Sequence, residues 1–531
     1  MLVVTLVVFS VVLYAEDTPV WPFNQISPAT LRQMPRKVFI HYFSVFPVSI
    51  DNKDGSIDYY ENNYLNPHGE NDKMLYCGGF IRQRPLPRIE LTDMDWYITD
   101  MKNEIKKATA LGADGFIYDM LSANPTSIHW KRLEYLLQAA NELDNGFKIL
   151  LMPDMCAGYN TISATDMADV IALFAWDPAV CRLDDGRLVI APYNAQLRSL
   201  SFWVDFKNEM DQRDIDFVFW PTYQGWWNYI ETYAPLSYGF SDWGVAAVVN
   251  QPYREERLAT LPHYGLQFMA PVRPQDFRPK SELGYEGANS LLFRAQWGTA
   301  MADASDALWA QIITWNDYSE ATEIAPSTCT RYAFYDLSSY YISWFKTGIQ
   351  PQIVRDALYY FYRIQPTDAI PTSPYQTEPF SVLGVPQNKI ELLAFLKLPG
   401  TLEITINGQT YSSNVDAGIQ SLSVPLANGV PEFKLKRNGQ TVMHRVGNWE
   451  ISDQIEFSNL LVHADGGTNE QQRVYFELGT ILNKVTGYDS TTCNVIVGDP
   501  STVQLPQTPP SYYSNLTEDQ MGAWTITIGP A

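Results

Sequence analysis

The segment Trp315-Asn316-Asp317-Tyr318-Ser319-Glu320 places two carboxyl groups three residues apart. Two carboxyls that share a cavity do not ionise alike, because burial and mutual repulsion raise the pKa of one above the other. Such a pair supplies one protonated and one ionised group, the requirement for cleaving a glycosidic bond. Asp317 and Glu320 are therefore the candidate catalytic pair, with acid and base left open between them. Asn316 offers an amide to a sugar hydroxyl, and Trp315 a flat face to a pyranose ring. Glu323 is a further carboxylate nearby that competes for a role.

These residues need a scaffold that brings distant parts of the chain to one mouth. From Lys37 to about Gln350, short apolar runs alternate with helical spacing. The runs are Val38–Ile40, Gly115–Tyr118, Lys148–Met152, Leu188–Ala191, Phe217–Trp220, Val245–Val249, Leu266–Ala270 and Gln311–Trp315. Buried runs alternating with helices imply a parallel sheet, and eight over this length imply a closed (β/α)₈ TIM barrel. An open doubly wound sheet is the alternative, but no GxGxxG or Walker sequence follows any of the runs. Active groups of such a barrel project from the C-terminal strand ends. Reading those ends adds His41, Asp119, Asp154, Tyr193, Trp220 and Tyr223 as candidate substrate-binding residues, with Trp315, Asn316 and Glu323. A single Asp at a strand end is as readily the N-cap of the next helix, and an aromatic is as readily core. For Trp226 and Trp227 the stacking and core readings are equally weighted.

The connection from Val45 to Arg88 is too long for an ordinary βα loop and is expected over the catalytic mouth. Within it, Asn52, Asp54, Gly55 and Glu61 echo a calcium loop, but Ile50 occupies the first ligand position, so a turn is expected. Pro and Thr accumulate from about Ile364 to Pro379, marking a linker at 366–379 between a catalytic barrel (16–365) and a β-rich domain (380–531). Ile390–Leu396, Leu402–Ile406, Phe433–Lys436 and Val442–Arg445 alternate with period two. Asn407-Gly408 and Asn438-Gly439 are hairpin signals. A β-sandwich-like accessory domain is expected there.

At 531 residues the chain exceeds one ordinary core, and 46% apolar with 18% charged residues is a globular composition. A formal charge of −22 argues against nucleic acid as a partner. It is compatible with a neutral polysaccharide. Met1 to Ala15 reads as a secretory leader, so a secreted protein with no membrane association after leader removal is expected, acting as a monomer. The five cysteines permit a Cys156–Cys181 disulfide as the most plausible local pair. Asn515-Leu516-Thr517 is a glycosylation sequon. No CxxC, HExxH or GxSxG sequence is present, so no metal or cofactor is expected and a serine hydrolase lacks parts.

Thr314 to Glu320 resembles the WNDYGES signature of glycoside hydrolase family 71, the α-1,3-glucanases or mutanases. Gly78-Gly79-Phe80-Ile81-Arg82-Gln83-Arg84-Pro85 is similar to that family's GG-x-x-R-x-R-P segment, and Gly112–Phe116 to its second-strand entry. Ser319 replaces the usual Gly and Ala321 the usual Ser. The resemblance implies endo-hydrolysis of α-1,3-glucan with inversion, on the carboxylates at Asp317 and Glu320. Inversion requires the two carboxyls to stand about 6.5–9.5 Å apart to admit a water. The rivals are a barrel hydrolase of another α-linked glycan, such as a mannoside, and a catalytically silent glycan-binding protein.

Overall fold

The computed structural model describes residues 21–88, 90–258, 260–302 and 307–469, and beyond them only the strand segments 472–473, 485–489, 494–497 and 525–526. The predicted leader, Cys493 and the sequon at Asn515 lie outside the described residues.

The first half is a barrel-like α/β fold. Its strands are β1 (Lys37–Tyr42), β2 (Gly115–Met120), β3 (Lys148–Pro153), β4 (Leu188–Ile190), β5 (Phe217–Phe219), β6 (Thr222–Tyr223), β7 (Gly239–Asp242) and β8 (Gln267–Val272). A short antiparallel pair, β9 (Phe277–Arg278) and β10 (Leu283–Tyr285), precedes β11 (Trp309–Ile312). The barrel strands pair in parallel in the order β5-β4-β3-β2-β1-β11-β8-β7-β6. The ends of that order, β5 and β6, are two pieces of one run broken at Trp220-Pro221. Proline lacks the amide that a continuous ladder requires. A bridge from Tyr193 to Thr222 and a bond from the Tyr238 amide to the Phe219 carbonyl (3.0 Å) connect the two pieces to their neighbours on either side.

Helix α1 (Pro28–Arg32) precedes β1, and helices follow the strands: α2 (Trp96–Ala110), α3 (Ile128–Leu143), α4 (Ala164–Phe174), α5 (Leu200–Asp211), α6 (Ile230–Tyr233), α7 (Gln251–Leu258), α8 (Leu291–Met301) and α9 (Ala333–Thr347). Their starts are encoded locally. Ser127, Ser163 and Ser199 each accept a backbone amide of the first turn of α3, α4 and α5. Alternation along the strands sorts two layers. Val38, Ile40, Phe116, Ile149 and Leu151 face the helices. Phe39, Ile117, Leu150, Met152, Val189, Val218, Trp220 and Met269 form a separate cluster filling the interior of the ring.

Two expected strands fall elsewhere. Val245–Val249 is not a strand; the sixth barrel strand is β7, whose sequence Gly-Phe-Ser-Asp carries one large apolar residue and no period to detect. The last strand ends at Ile312, so Trp315 lies in the following turn. Within the expected linker the amides of Thr372 and Ser373 donate to the carbonyls of Ile455 and Glu456, each at 3.0 Å. The predicted Cys156–Cys181 disulfide is absent. Cys181 is buried in the interior cluster while Cys156 is an exposed free thiol.

The second half contains β12 (Ala357–Arg363), β13 (Ser381–Leu383), β14 (Lys389–Leu396), β15 (Gly400–Ile406), β16 (Gln409–Val415), β17 (Gly418–Pro425), β18 (Glu432–Arg437), β19 (Gln440–Val446) and β20 (Val462–Thr468). All but β13, which pairs in parallel with β10, form two antiparallel sheets, β17-β14-β12-β20 and β16-β15-β18-β19. Asn407-Gly408 and Asn438-Gly439 turn the hairpins with all four residues at positive φ. β12 is buried on both faces. Leu358, Tyr360 and Tyr362 join a cluster with Leu402, Ile404 and Phe433 of the other sheet. Tyr359 and Phe361 join the barrel cluster against Phe334 and Tyr340 of α9.

Candidate active site

Strand parity determines which side chains reach the mouth. Two residues beyond an interior-facing position the side chain points the same way, one layer higher. Phe39 is thus followed by His41, Ile117 by Asp119, Met152 by Asp154 and Trp309 by Gln311. The same step carries β4 to Tyr193, β7 to Trp243 and β8 to Arg273.

Asp317 and Glu320 come from the turn after β11. That segment folds back on itself, with the Thr314 amide on the Thr322 carbonyl (2.7 Å) and the Ile324 amide on the Thr314 carbonyl (3.0 Å). Oδ1 of Asp317 accepts from the Ser319 amide (2.9 Å), Ser319 Oγ (2.7 Å) and the Glu320 amide (3.1 Å). Burial raises the Asp317 pKa, opposed by these bonds and by Arg278. Glu320 is half-buried, and burial, then Asp317 and Asp276, push it up to about 8 against the opposing pull of Arg278. Its Oε2 lies 3.1 Å from Arg278 Nη2, an ion contact without hydrogen-bond alignment.

Two more carboxyls share this field. Burial and then the charges of Asp154, Asp317 and Glu320 raise the Asp119 pKa, and its Oδ1 has no hydrogen-bond partner among the described residues. Burial lifts Asp154 to about 6, while its Oδ1 accepts the Cys156 amide at 2.6 Å. His41 is buried and pushed down to about 4, so it is neutral at ordinary pH. Gln311 donates to Ser241 Oγ (2.6 Å) and the Asp242 carbonyl (2.7 Å), so its Oε1 accepts from His41 Nε2 at 2.8 Å. Nδ1 of His41 is left as an acceptor. Tyr193 receives a hydrogen bond on its hydroxyl from Gln224 (2.7 Å) and packs against Trp243 with ring centroids 4.7 Å apart. His41, Asp119, Asp154, Tyr193, Asp317 and Glu320 thus converge. Among the described residues no group of three or more His, Cys, Asp or Glu is placed to hold a metal ion.

The other candidates serve the frame, not the mouth. Trp220 fills the ring interior, stacked on Trp309 at 4.7 Å. Tyr223 is buried against Tyr229 and Tyr233. Trp315 is fully buried beside Phe116, its indole N–H donating to Glu104. Asn316 accepts the Phe43 amide (2.8 Å) and donates to the carbonyls of Phe43 (3.0 Å) and Phe46 (2.7 Å), which leaves its amide no donor for a sugar. Glu323 is fully buried and accepts from Gln83 of the long first loop. The aromatic pair also divides: Trp226 is core, while Trp227 is half-buried at a cavity.

The residues missed were Trp243, Arg273, Asp276 and Arg278. Trp243 and Arg273 obey the strand-end rule, but β7 has no apolar period to mark it and β8 runs two residues beyond Ala270. Asp276 joins both arginines, with Arg273 Nη1 at 2.6 Å and Arg278 Nε and Nη2 each at 2.8 Å.

A family model described as glycosyl hydrolase family 71 matches residues 91–469. The ascus wall endo-1,3-alpha-glucanase of Schizosaccharomyces pombe is 25% identical over 65% of this chain and 87% of its own length. The glucan endo-1,3-alpha-glucosidase agn1 of the same yeast is 23% identical over 68% of this chain and 89% of its own. A mutanase of Penicillium rubens is 26% identical over 38% of this chain and 48% of its own. Among solved structures, the GH99 endo-alpha-mannosidase of Bacteroides thetaiotaomicron superposes with a TM-score of 0.44 at 13% identity, covering 58% of this chain and 97% of that one.

Proposed function

Since the chain belongs to glycosyl hydrolase family 71 and is a glycoside hydrolase, we propose that it cleaves α-1,3-glucosidic bonds within α-1,3-glucan, with Glu320 as general acid and Asp317 as general base. The observation that carries the assignment is the unequal environment of the two carboxyls. Three hydrogen bonds favour the ionised form of Asp317. Glu320 lies deeper in negative charge and, with a pKa of about 8, holds its proton at neutral pH. Glu320 protonates the departing glycosidic oxygen while Asp317 takes a proton from water attacking the anomeric carbon from the opposite face, which inverts the configuration. His41, Asp119, Asp154 and Tyr193 hold the sugar at the point of cleavage. The relatives named endo-1,3-alpha-glucanase and glucan endo-1,3-alpha-glucosidase support the substrate and the internal attack.

The parallel pairings support reading the scaffold as a (β/α)₈ barrel, and the apolar cluster shared by the two antiparallel sheets supports a β-sandwich. Secretion rests on the leader sequence; among the described residues no helix is long and apolar enough to cross a membrane.

The test is reducing-sugar release from insoluble α-1,3-glucan, with the product anomer followed by NMR. The β-anomer is expected first. Asp317→Asn and Glu320→Gln are each expected to lower kcat by about 10²–10⁴-fold. Substantial activity in Asp317→Asn, or an initial α-anomer, overturns the mechanism.

A further inference from the structure

Beside the acidic mouth lies a cavity of ≈ 200 Å³ that the steps above do not use. Its wall comes from the segments after three neighbouring strands: Gln224 and Trp227 after β6, Trp243 after β7, then Arg278 on β9 and Tyr285 on β10. Two of these residues also belong to the mouth. Arg278 brings Nη2 to 3.1 Å from Oε2 of Glu320. Trp243 packs its ring against His41 and Tyr193, each at 4.7 Å between centroids. The cavity and the mouth therefore share walls at Arg278 and at Trp243.

The lining selects a ligand class. Trp227, Trp243 and Tyr285 are half-buried and supply flat apolar surface. Gln224 and Arg278 supply hydrogen bonds at the edges. No net positive charge is left over for an anion: the wall sets Arg273 and Arg278 against Asp242 and Asp276, Asp276 binds both arginines, and Arg273 also donates to the Trp243 carbonyl. A ring with apolar C–H faces and a hydroxyl rim, without charge, matches this surface.

We propose that this cavity is a sugar subsite adjoining the cleavage point on the Glu320 side, accepting one neutral hexopyranose ring of the substrate chain. The proposal rests on the reading of Asp317 and Glu320 as the catalytic pair. A ring seated there fixes the next glycosidic oxygen relative to Glu320, so that binding energy away from the reacting bond aligns it.

The experiment titrates Asp317→Asn protein with an α-1,3-linked glucose pentasaccharide by calorimetry, and compares Asp317→Asn/Trp227→Ala and Asp317→Asn/Gln224→Ala. Trp227→Ala should weaken binding about tenfold, the effect of losing one stacked ring. Gln224 is exposed, so its truncation leaves the fold intact and should weaken binding about threefold. In the otherwise unaltered enzyme, Trp227→Ala should raise KM for the pentasaccharide more than it lowers kcat. Unchanged affinity in both double variants, with the unaltered enzyme active on α-1,3-glucan, overturns the subsite alone. Preferential binding of glucose 6-phosphate over glucose, lost on Trp227→Ala, overturns the neutral ligand class. Failure of the unaltered enzyme to hydrolyse α-1,3-glucan, with no binding by Asp317→Asn, overturns both this proposal and the function it rests on.

Discussion

Glu320 must keep a proton at a pH where a free glutamate has long lost it, and its surroundings impose a stability cost when that proton leaves. With a folded pKa of about 8, well above that of a free glutamate, the folded state binds the proton more tightly than the unfolded chain. Its contribution to stability is full below the unfolded pKa and is lost as pH rises towards about 8. Two outcomes follow. The descending limb of the kcat profile should centre near pH 8, and Glu320→Gln, though inactive, should melt at a higher temperature than the unaltered protein above that pH. A profile flat to pH 10 removes Glu320 as the acid. Core residues test the opposite assignment. Trp220→Ala should lose about 3–5 kcal/mol in denaturant unfolding, because it empties the ring interior. The milder Trp220→Phe should lower Tm with KM unchanged; a raised KM at unchanged Tm would restore Trp220 to the substrate site. Trp220 and Asp119 looked alike in the sequence, each ending an apolar run. Asp119 opens upward because β2 continues three residues past Ile117, whereas β5 stops at Phe219, with Trp220 and then Pro221 following. Strand length beyond the last apolar residue is what the pattern did not carry.

At the scale of elements, the signature after β11 divides its labour: Asp317 and Glu320 face the mouth while the residues between and around them clamp the long first loop. Asn316 holds the backbone at Phe43 and Phe46, Tyr318 packs with Phe46, Tyr60 and Ile81, and Glu323 receives Gln83. The loop's length marks it as more than an ordinary connection, and at its expected turn Oδ1 of Asp54 accepts the Ser56 amide at 2.9 Å. The segment between β8 and α8, which carries Asp276 and Arg278, is held from the other side. β10 pairs with β13, Gln275 accepts the Val462 amide (2.9 Å), and buried Glu286 accepts from Arg363 Nη1 (2.9 Å). None of this was legible, because each partner is distant in sequence and polar. Breaking a buried pair by removing one member leaves an uncompensated charge. Arg363→Met is therefore expected to cost about 3–5 kcal/mol in denaturant unfolding. A loss below about 1 kcal/mol, the range of a surface pair, would show that the Arg363–Glu286 contact does not hold this segment.

For the whole molecule, the question left open by composition was whether the β-rich half is a separable module. Its polar-to-apolar alternation suggested sheets with one wet face, and for β16 and β17 that holds. β12 and β14 are different. Every residue of β12 is buried, with one face on the second sheet and the other on α9. α9 is itself buried around nearly its whole circumference, the pattern of a helix enclosed between layers. Tyr359 donates to Asp336 (2.9 Å), and Phe361 and Phe395 lie 5.3 and 5.0 Å from Phe334 and Tyr340 between ring centroids. The two halves thus share one continuous apolar core, and cutting between them exposes Phe334 and Tyr340 to water. A chain ending after Gly348 should fail to reach a native state: no cooperative thermal transition, weak near-ultraviolet circular dichroism, and no hydrolysis of soluble α-1,3-linked oligosaccharides. A linker-joined binding module predicts the reverse, a truncated barrel that melts cooperatively and keeps kcat on soluble substrate while losing only its grip on insoluble glucan. Soluble substrate separates the two outcomes, because it needs the mouth but no surface-binding domain, and the mouth depends on Arg278, whose segment the missing half supports.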